Sequence, residues 1–142
     1  MNRFFIYVFA AVLLAGLFVG CRPGEDMAES EKLFIKMVDK TAGKLNLDET
    51  QKIQLEQLKM DIRKNFREGQ KEKKEAAAKI KEEGMKENPD NQNITSLLQG
   101  IIRNETERIK RAFGLMLKFQ DNLNEVQKKK LTQMISKWVI QD

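Results

Sequence analysis

Apolar residues recur at helical spacing in four segments between residues 28 and 140, and no segment alternates apolar and polar positions in the two-residue period of a strand. The first predicted helix runs from about residue 28 to residue 42, and Gly43 is placed to end it. Its apolar stripe consists of Phe34, Met37, Val38 and Thr41. The pattern along the whole chain predicts an all-α protein.

The second predicted helix is long, because residues 49–83 contain no proline and are rich in Gln, Glu, Lys and Ala, which favour helices. At the usual rise per residue it would measure about 50 Å. Its apolar stripe consists of Leu55, Leu58, Ile62 and Phe66. The charged sequence REGQKEKKE at 67–75 offers no apolar face, so we expect this stretch to be solvated or bracketed by a second subunit.

The third and fourth predicted helices follow a break at Gly84 and Asn88-Pro89, since the residue before a proline avoids helical geometry. The third helix runs from about Asn91 or Ile94 to Phe119, and the fourth covers about residues 125–140. The apolar stripe of the third helix consists of Ile94, Leu97, Leu98, Ile101, Ile102, Ile109, Ala112, Phe113 and Met116, and that of the fourth consists of Leu131, Met134, Ile135 and Trp138. The expected fold is four helices, of which the second and third are long.

A short motif occurs twice, as LDETQK at 47–52 and as LNEVQK at 123–128. The repeated positions are Leu47, Asp48 and Gln51 in the first copy and Leu123, Asn124 and Gln127 in the second. Asp and Asn are strong N-cap residues, and a Gln three residues later can bond back to the cap amide to complete a capping box. Each leucine is expected to pack where the chain enters the helix. Both copies therefore predict helix starts.

The N-terminus, MNRFFIYVFAAVLLAGLFVGC, is typical of an export signal, with Arg3 before an apolar run from Phe4 to Val19. The run is shorter than the roughly 20 residues of a comfortable membrane span, so cleavage is favoured over a retained helix. The sequence LFVGC resembles a bacterial lipobox, and it predicts a lipidated Cys21; an ordinary signal peptide with a chance cysteine is the alternative. Two or three acyl chains would anchor the protein to a membrane facing the periplasm, either inner or outer. The predicted organisation is a signal peptide at 1–20, a lipidated cysteine and tether at 21–28, and a helical domain at 29–142.

Composition narrows the class of function. Beyond residue 20 the chain carries 25 Lys and Arg against 21 Asp and Glu, because Arg3 is the only charged residue before that point. This balance suits acidic partners or an anionic lipid surface and gives no reason to expect nucleic-acid binding. The chain has no histidine and one cysteine, and it has no glycine-rich phosphate loop. We therefore expect neither catalysis nor a cofactor nor a selective metal site, and we interpret acid pairs such as Glu82-Glu83 as solvated helix surface.

The two motif copies, at the heads of the second and fourth helices of a small exported all-α chain, resemble the Spy/CpxP family of periplasmic proteins. That family carries two L-T-x-x-Q motifs, and this chain matches both at Leu and Gln, with Asp48 and Asn124 in place of Thr. The resemblance implies an ATP-independent chaperone or envelope-stress regulator, built as an antiparallel homodimer with an elongated cradle. This chain differs in its predicted lipid anchor and in its lack of histidine.

The leading hypothesis is a membrane-tethered holdase that shields unfolded or aggregation-prone envelope proteins during stress. Alternatives are an accessory protein that binds the sensor domain of an envelope-stress kinase, and a structural lipoprotein that binds itself. Basic residues of the long helices would attract acidic clients, and Met60 and Phe66 would offer apolar contact. The predicted client contacts are Met60, Arg63, Lys64, Phe66, Arg67, Lys71, Arg108 and Arg111.

Overall fold

The computed structural model describes residues 26–140, which form four α-helices, one short 3₁₀ turn and no strands. The helices are α1 (Asp26–Leu45), α2 (Glu49–Gly84), α3 (Asn91–Phe119) and α4 (Glu125–Ile140), with the 3₁₀ turn at Gln120–Asn122. The all-α fold and the long second and third helices are confirmed. The predicted signal peptide and Cys21 lie outside the described residues.

Both ends of α1 differ from the sequence-based expectation. The helix continues through Gly43 to Leu45, and the chain leaves it at Asn46, whose φ of 50° is in the left-handed region that asparagine tolerates. At the other end, helix begins at Asp26, and the Met27 side chain is only 3% exposed. The expected tether at 21–28 is therefore too long by three residues.

The core lies where α1 packs into the furrow between α2 and α3. The ring of Phe34 contacts Phe66 at a centroid distance of 5.4 Å and Phe113 at 4.9 Å. The core residues are Met27, Phe34, Val38, Leu45, Leu55, Leu58, Ile62, Phe66, Ala112, Phe119, Leu123 and Leu131. Full burial of a side chain such as Ile62 or Phe66 stabilises the fold by about 1.5–3 kcal/mol.

α1 runs antiparallel to α2. Met27 lies beside Gly69 near the middle of α2, and Asp39 accepts a hydrogen bond at 2.8 Å from Lys59, nearer its start. This bond is the largest cause of the raised pKa of Lys59. From α4, Leu131 reaches the core and Met134 packs against it, whereas the side chains of Ile135 and Trp138 lie outside the described ones.

The charged stretch at 67–75 packs against its own chain through Gly69 and Lys73, so the expectation that it offers no packing face is wrong, while most of its other residues are exposed as expected. Gly69 is buried, and the Asn104 side chain donates to its carbonyl at 3.2 Å. Lys73 is 9% exposed and pairs with Glu105 at 2.5 Å. The sequence pattern missed this interface because it is built from polar groups that satisfy one another and from a glycine that lets the helices approach closely.

Beyond Gly69, α2 and α3 continue as a two-helix hairpin, residues 70–103, which we call the arm. None of the core residues falls between positions 67 and 111 of the described chain. At the tip, the Glu83 carboxylate accepts from the Asp90 amide at 3.0 Å and from Lys86 at 2.6 Å. Glu83 is 6% exposed, so interpreting it as solvated helix surface was wrong.

Candidate functional site

Both copies of the repeated motif form capping boxes. Asp48 accepts from the Gln51 amide at 2.8 Å, and the Gln51 side chain accepts from the Asp48 amide at 3.1 Å. Asn124 and Gln127 repeat the arrangement at 2.9 and 3.0 Å. The two motifs therefore start α2 and α4, as the sequence predicts, and each box satisfies exposed amides of a first helical turn.

The two boxes also meet each other, which the sequence did not reveal. Gln51 Nε2 donates to Gln127 Oε1 at 2.8 Å, and Gln127 Nε2 donates to Gln51 Oε1 at 3.0 Å. Each glutamine also bonds the carbonyl two residues before the other cap, since Gln51 donates to Asn122 and Gln127 to Asn46. The repeated motifs thus form one approximately twofold-symmetric junction, which we call the glutamine pair.

The glutamine pair is a structural element rather than a binding site. Both side chains are 7% exposed. The side-chain amides of the two glutamines, at the starts of α2 and α4, donate to backbone carbonyls just after the ends of α1 and α3. Carbonyls at the C-terminal end of a helix have no partner within the helix. A buried amide in a low-dielectric setting bonds strongly and is costly to leave unpaired. The pair therefore fixes how the four helices converge at this end of the molecule.

The best candidate for a binding surface is a line of basic side chains along α2. Its exposed members are Lys64, Arg67, Lys71, Lys74 and Lys81, and we call this set the basic stripe. Spacings of three, four and seven residues keep them on one side of the helix over a length of about 26 Å. None of them forms an ion pair within the described part of the chain.

Three acidic residues of α2 are paired within the hairpin or its turn. Glu68 and Glu72 bind the guanidinium of Arg108 on α3, at 3.1 and 2.7 Å. Glu83 is held by the turn that follows α2, and these contacts lower its pKa, the hydrogen bond from Lys86 being the largest cause. The side of α2 turned away from α3 carries the five cations of the basic stripe together with exposed Glu75 and Glu82, so it is positive on balance.

Exposed apolar side chains flank the start of the basic stripe. Met60 is 54% exposed, and Ile53, seven residues earlier and therefore on nearly the same side of α2, is 73% exposed. Ile53 was missed by the sequence analysis, since an isolated apolar residue outside the core stripe carries little information. Lys74 and Lys81 were also missed, although their helical spacing from Lys71 could have identified them.

The predicted client contacts do not form one surface. Met60, Lys64, Arg67 and Lys71 are exposed along α2, with the half-buried Arg63 beside them. Phe66 is 1% exposed in the core, so its assignment as a client contact was wrong.

The two predicted contacts on α3 also differ from those on α2. The side chain of Arg108 is 13% exposed and is already bound by two carboxylates. Arg111 is exposed but belongs to α3 rather than to the basic stripe. The candidate surface is therefore confined to α2.

Comparison with known proteins adds no assignment: no family model, curated protein or solved structure matches the chain. Membership in the Spy/CpxP family stays a prediction, carried by the two motifs. Among the described residues, no helix is both long and apolar enough to cross a membrane. The same part of the chain contains no cluster of three potential metal ligands among His, Cys, Asp and Glu.

Proposed function

We propose that this protein is a membrane-anchored, extracytoplasmic holdase that shields unfolded or aggregation-prone envelope proteins without ATP. One observation carries the proposal: the basic stripe is exposed, free of ion pairs within the described residues, and continuous with the exposed side chains of Ile53 and Met60. Long-range attraction followed by adaptable apolar contact suits weak binding of many acidic, partly unfolded chains. The predicted lipid anchor at Cys21 would hold this surface at the membrane.

The proposal includes an antiparallel homodimer, which is supported by the family resemblance. The charged stretch at 67–75 gives it little support, because part of that stretch packs against α3 through Gly69 and Lys73. The dimer therefore rests on the family resemblance. Sedimentation of the protein in detergent and moderate salt tests it, and a protein mass equal to one mature chain rather than two would refute the dimeric cradle.

The holdase proposal is tested by aggregation suppression with charge-reversed variants. Lys64→Glu with Arg67→Glu reverses two exposed positions of the basic stripe, and it spares Arg63, which is half-buried beside α1. Lys118→Glu with Lys130→Glu is the matched control, because it makes the same change in net charge at exposed positions outside the stripe. We expect the first variant to lose most protection of an acidic aggregating substrate and the control to retain it.

Circular dichroism should show the same helix content in both variants. A loss of protection then results from the changed surface charge and not from unfolding. Equal protection by both variants would show that clients bind somewhere other than the basic stripe of α2. Absence of protection by the wild-type protein, combined with binding to one folded sensor domain, would favour the regulatory alternative. Membrane fractionation of Cys21→Ser tests the anchor separately, and unchanged fractionation with membranes would refute lipidation at this residue.

A further inference from the structure

Among residues 26–140, α1 fills the furrow between α2 and α3 in the body of the protein, and no helix fills it along the arm. Phe34 of α1 lies between Phe66 of α2 and Phe113 of α3. α1 begins at Asp26, and Met27 packs beside Gly69 and Arg108 at the base of the arm. Within the described residues, the same side of the arm has no third helix over it.

Helical periodicity identifies the side chains along this open furrow. Ala77 follows Phe66 by 11 residues, close to three full turns, and Lys81 follows it by 15 residues, which places Lys81 about 60° further round α2, between this row and the rest of the basic stripe. Ile102 and Leu98 precede Phe113 by the same intervals. Ala77 and Ile102 therefore continue the two rows that contact α1 in the body, and Lys81 and Leu98 lie beside those rows.

The open furrow combines apolar exposure with positive charge. Ile102 is 64% exposed and Leu98 is 49% exposed, and they lie one turn apart on α3. Lys81 and, further round the helix, Lys74 lie on the neighbouring side of α2, where both lysines are exposed and form no ion pair in the described chain. An apolar strip edged by lysines is the pattern by which helices lie on an anionic lipid surface.

The start of α1 limits the distance between the open furrow and a membrane that holds Cys21. Asp26 lies at the base of the arm and is five residues after Cys21. Five residues span at most about 18 Å when fully extended. A lipid-anchored Cys21 therefore keeps the bilayer headgroups within that distance of the point where the open furrow begins.

We propose that the open furrow of the arm, with Leu98 and Ile102 at its centre and Lys74 and Lys81 at its edge, rests on the anionic surface of the bilayer. This inference rests on the membrane anchoring in the proposed function. The lipid contact occupies the side of the arm that α1 leaves free, while Lys64, Arg67 and Lys71 continue along the outer side of α2.

The test uses the full chain, purified from the membrane fraction and reconstituted into phosphatidylglycerol or phosphatidylcholine vesicles. A nitroxide is attached to Ile102→Cys, or to Val126→Cys as a control at an exposed position of α4. Acylation of Cys21 leaves the introduced cysteine as the one reactive thiol, because the chain has no other. Collisions with oxygen report contact with lipid, and collisions with a water-soluble nickel chelate report contact with water.

We expect the oxygen-to-nickel collision ratio at position 102 to rise in phosphatidylglycerol vesicles and to stay lower in phosphatidylcholine, with no rise at position 126. Lys74→Glu with Lys81→Glu should abolish the rise, whereas Lys118→Glu with Lys130→Glu should preserve it. Unchanged helix content in both variants excludes unfolding as the cause.

Two outcomes overturn the lipid contact while leaving the anchor intact. One is a vesicle-bound protein in which position 102 remains as water-accessible as position 126. The other is shielding of position 102 from both reagents with spin–spin broadening, which would assign the furrow to a second copy of the chain. A protein that does not associate with vesicles, or that carries a second label at Cys21, overturns the anchoring and the lipid contact together.

Discussion

Replacing the paired glutamines tests whether the two repeated motifs stabilise the fold as one unit. The Gln51 side chain takes part in four hydrogen bonds, two with Gln127, one with the Asp48 amide and one with the Asn122 carbonyl. Gln51→Met keeps the length of the side chain and removes all four. At about 1 kcal/mol per bond, with some compensation by water, the expected loss is about 2–4 kcal/mol. Gln127→Met should cost a similar amount.

The informative quantity is the coupling between the two replacements. After the first change, the remaining glutamine has already lost its two bonds to the partner, so the second change removes less. The double variant should therefore be more stable than the sum of the single losses predicts, by about 1–3 kcal/mol. Urea unfolding followed by far-ultraviolet circular dichroism measures all four free energies of unfolding.

Gln99→Met and Gln133→Met form the control cycle, because both glutamines are exposed on helix surfaces. Each should change stability by less than about 0.5 kcal/mol, and their effects should add. Single costs at Gln51 and Gln127 that simply add within error would show that the amides do not stabilise each other, and would refute the junction as a cooperative unit.

Two further predictions concern the hairpin. Gly100→Ala, in open space on α3, should stabilise the protein by about 0.5–1 kcal/mol, because alanine favours helix. Gly69→Ala should lack that gain or destabilise, since its Cβ would lie 2.8 Å from atoms of Met27 and Arg108, and equal melting temperatures for the two variants would contradict the close approach. For Glu83, the hydrogen bond from Lys86 lowers the pKa, so its contribution to stability is present above the unfolded pKa of about 4.3 and is lost as pH falls through the lower folded pKa. Glu83→Gln should therefore reduce the acid dependence of the urea midpoint more than Glu82→Gln does, and equal pH profiles would contradict this role.

Local sequence signals were sufficient for the elements whose causes are local. The cap residues Asp48 and Asn124 predicted the starts of α2 and α4, and the break around Asn88-Pro89 predicted the hairpin turn. The end of α1 was predicted too early, because both Gly43 and Asn46 are residue types that can end a helix. Gly43 is the common choice for a helix stop, but Asn46 adopts the left-handed conformation instead.

Contacts between polar residues distant in sequence were not predictable from periodicity. Nothing in the spacing of Lys73 and Glu105, or of Asn65 and the Arg108 carbonyl, reveals that α2 and α3 lie side by side there. Hydrophobic patterning identifies surfaces that exclude water. It gives no information about interfaces in which two helices satisfy each other's polar groups. The same limitation hid the contact between the two capping boxes.

The partition of charge on α2 explains why the arm can be both ordered and available for binding. Glu68 and Glu72 share the single positive charge of Arg108, and the buried Lys73 is neutralised by Glu105. Partly buried ion pairs of this kind join the two helices of the hairpin beside half-buried apolar residues such as Ile80 and Leu97, but they add less stability than hydrophobic burial does. The outward lysines and arginines then have no intramolecular role among the described contacts, so reversing their charge should change what the arm binds before it changes how the arm folds.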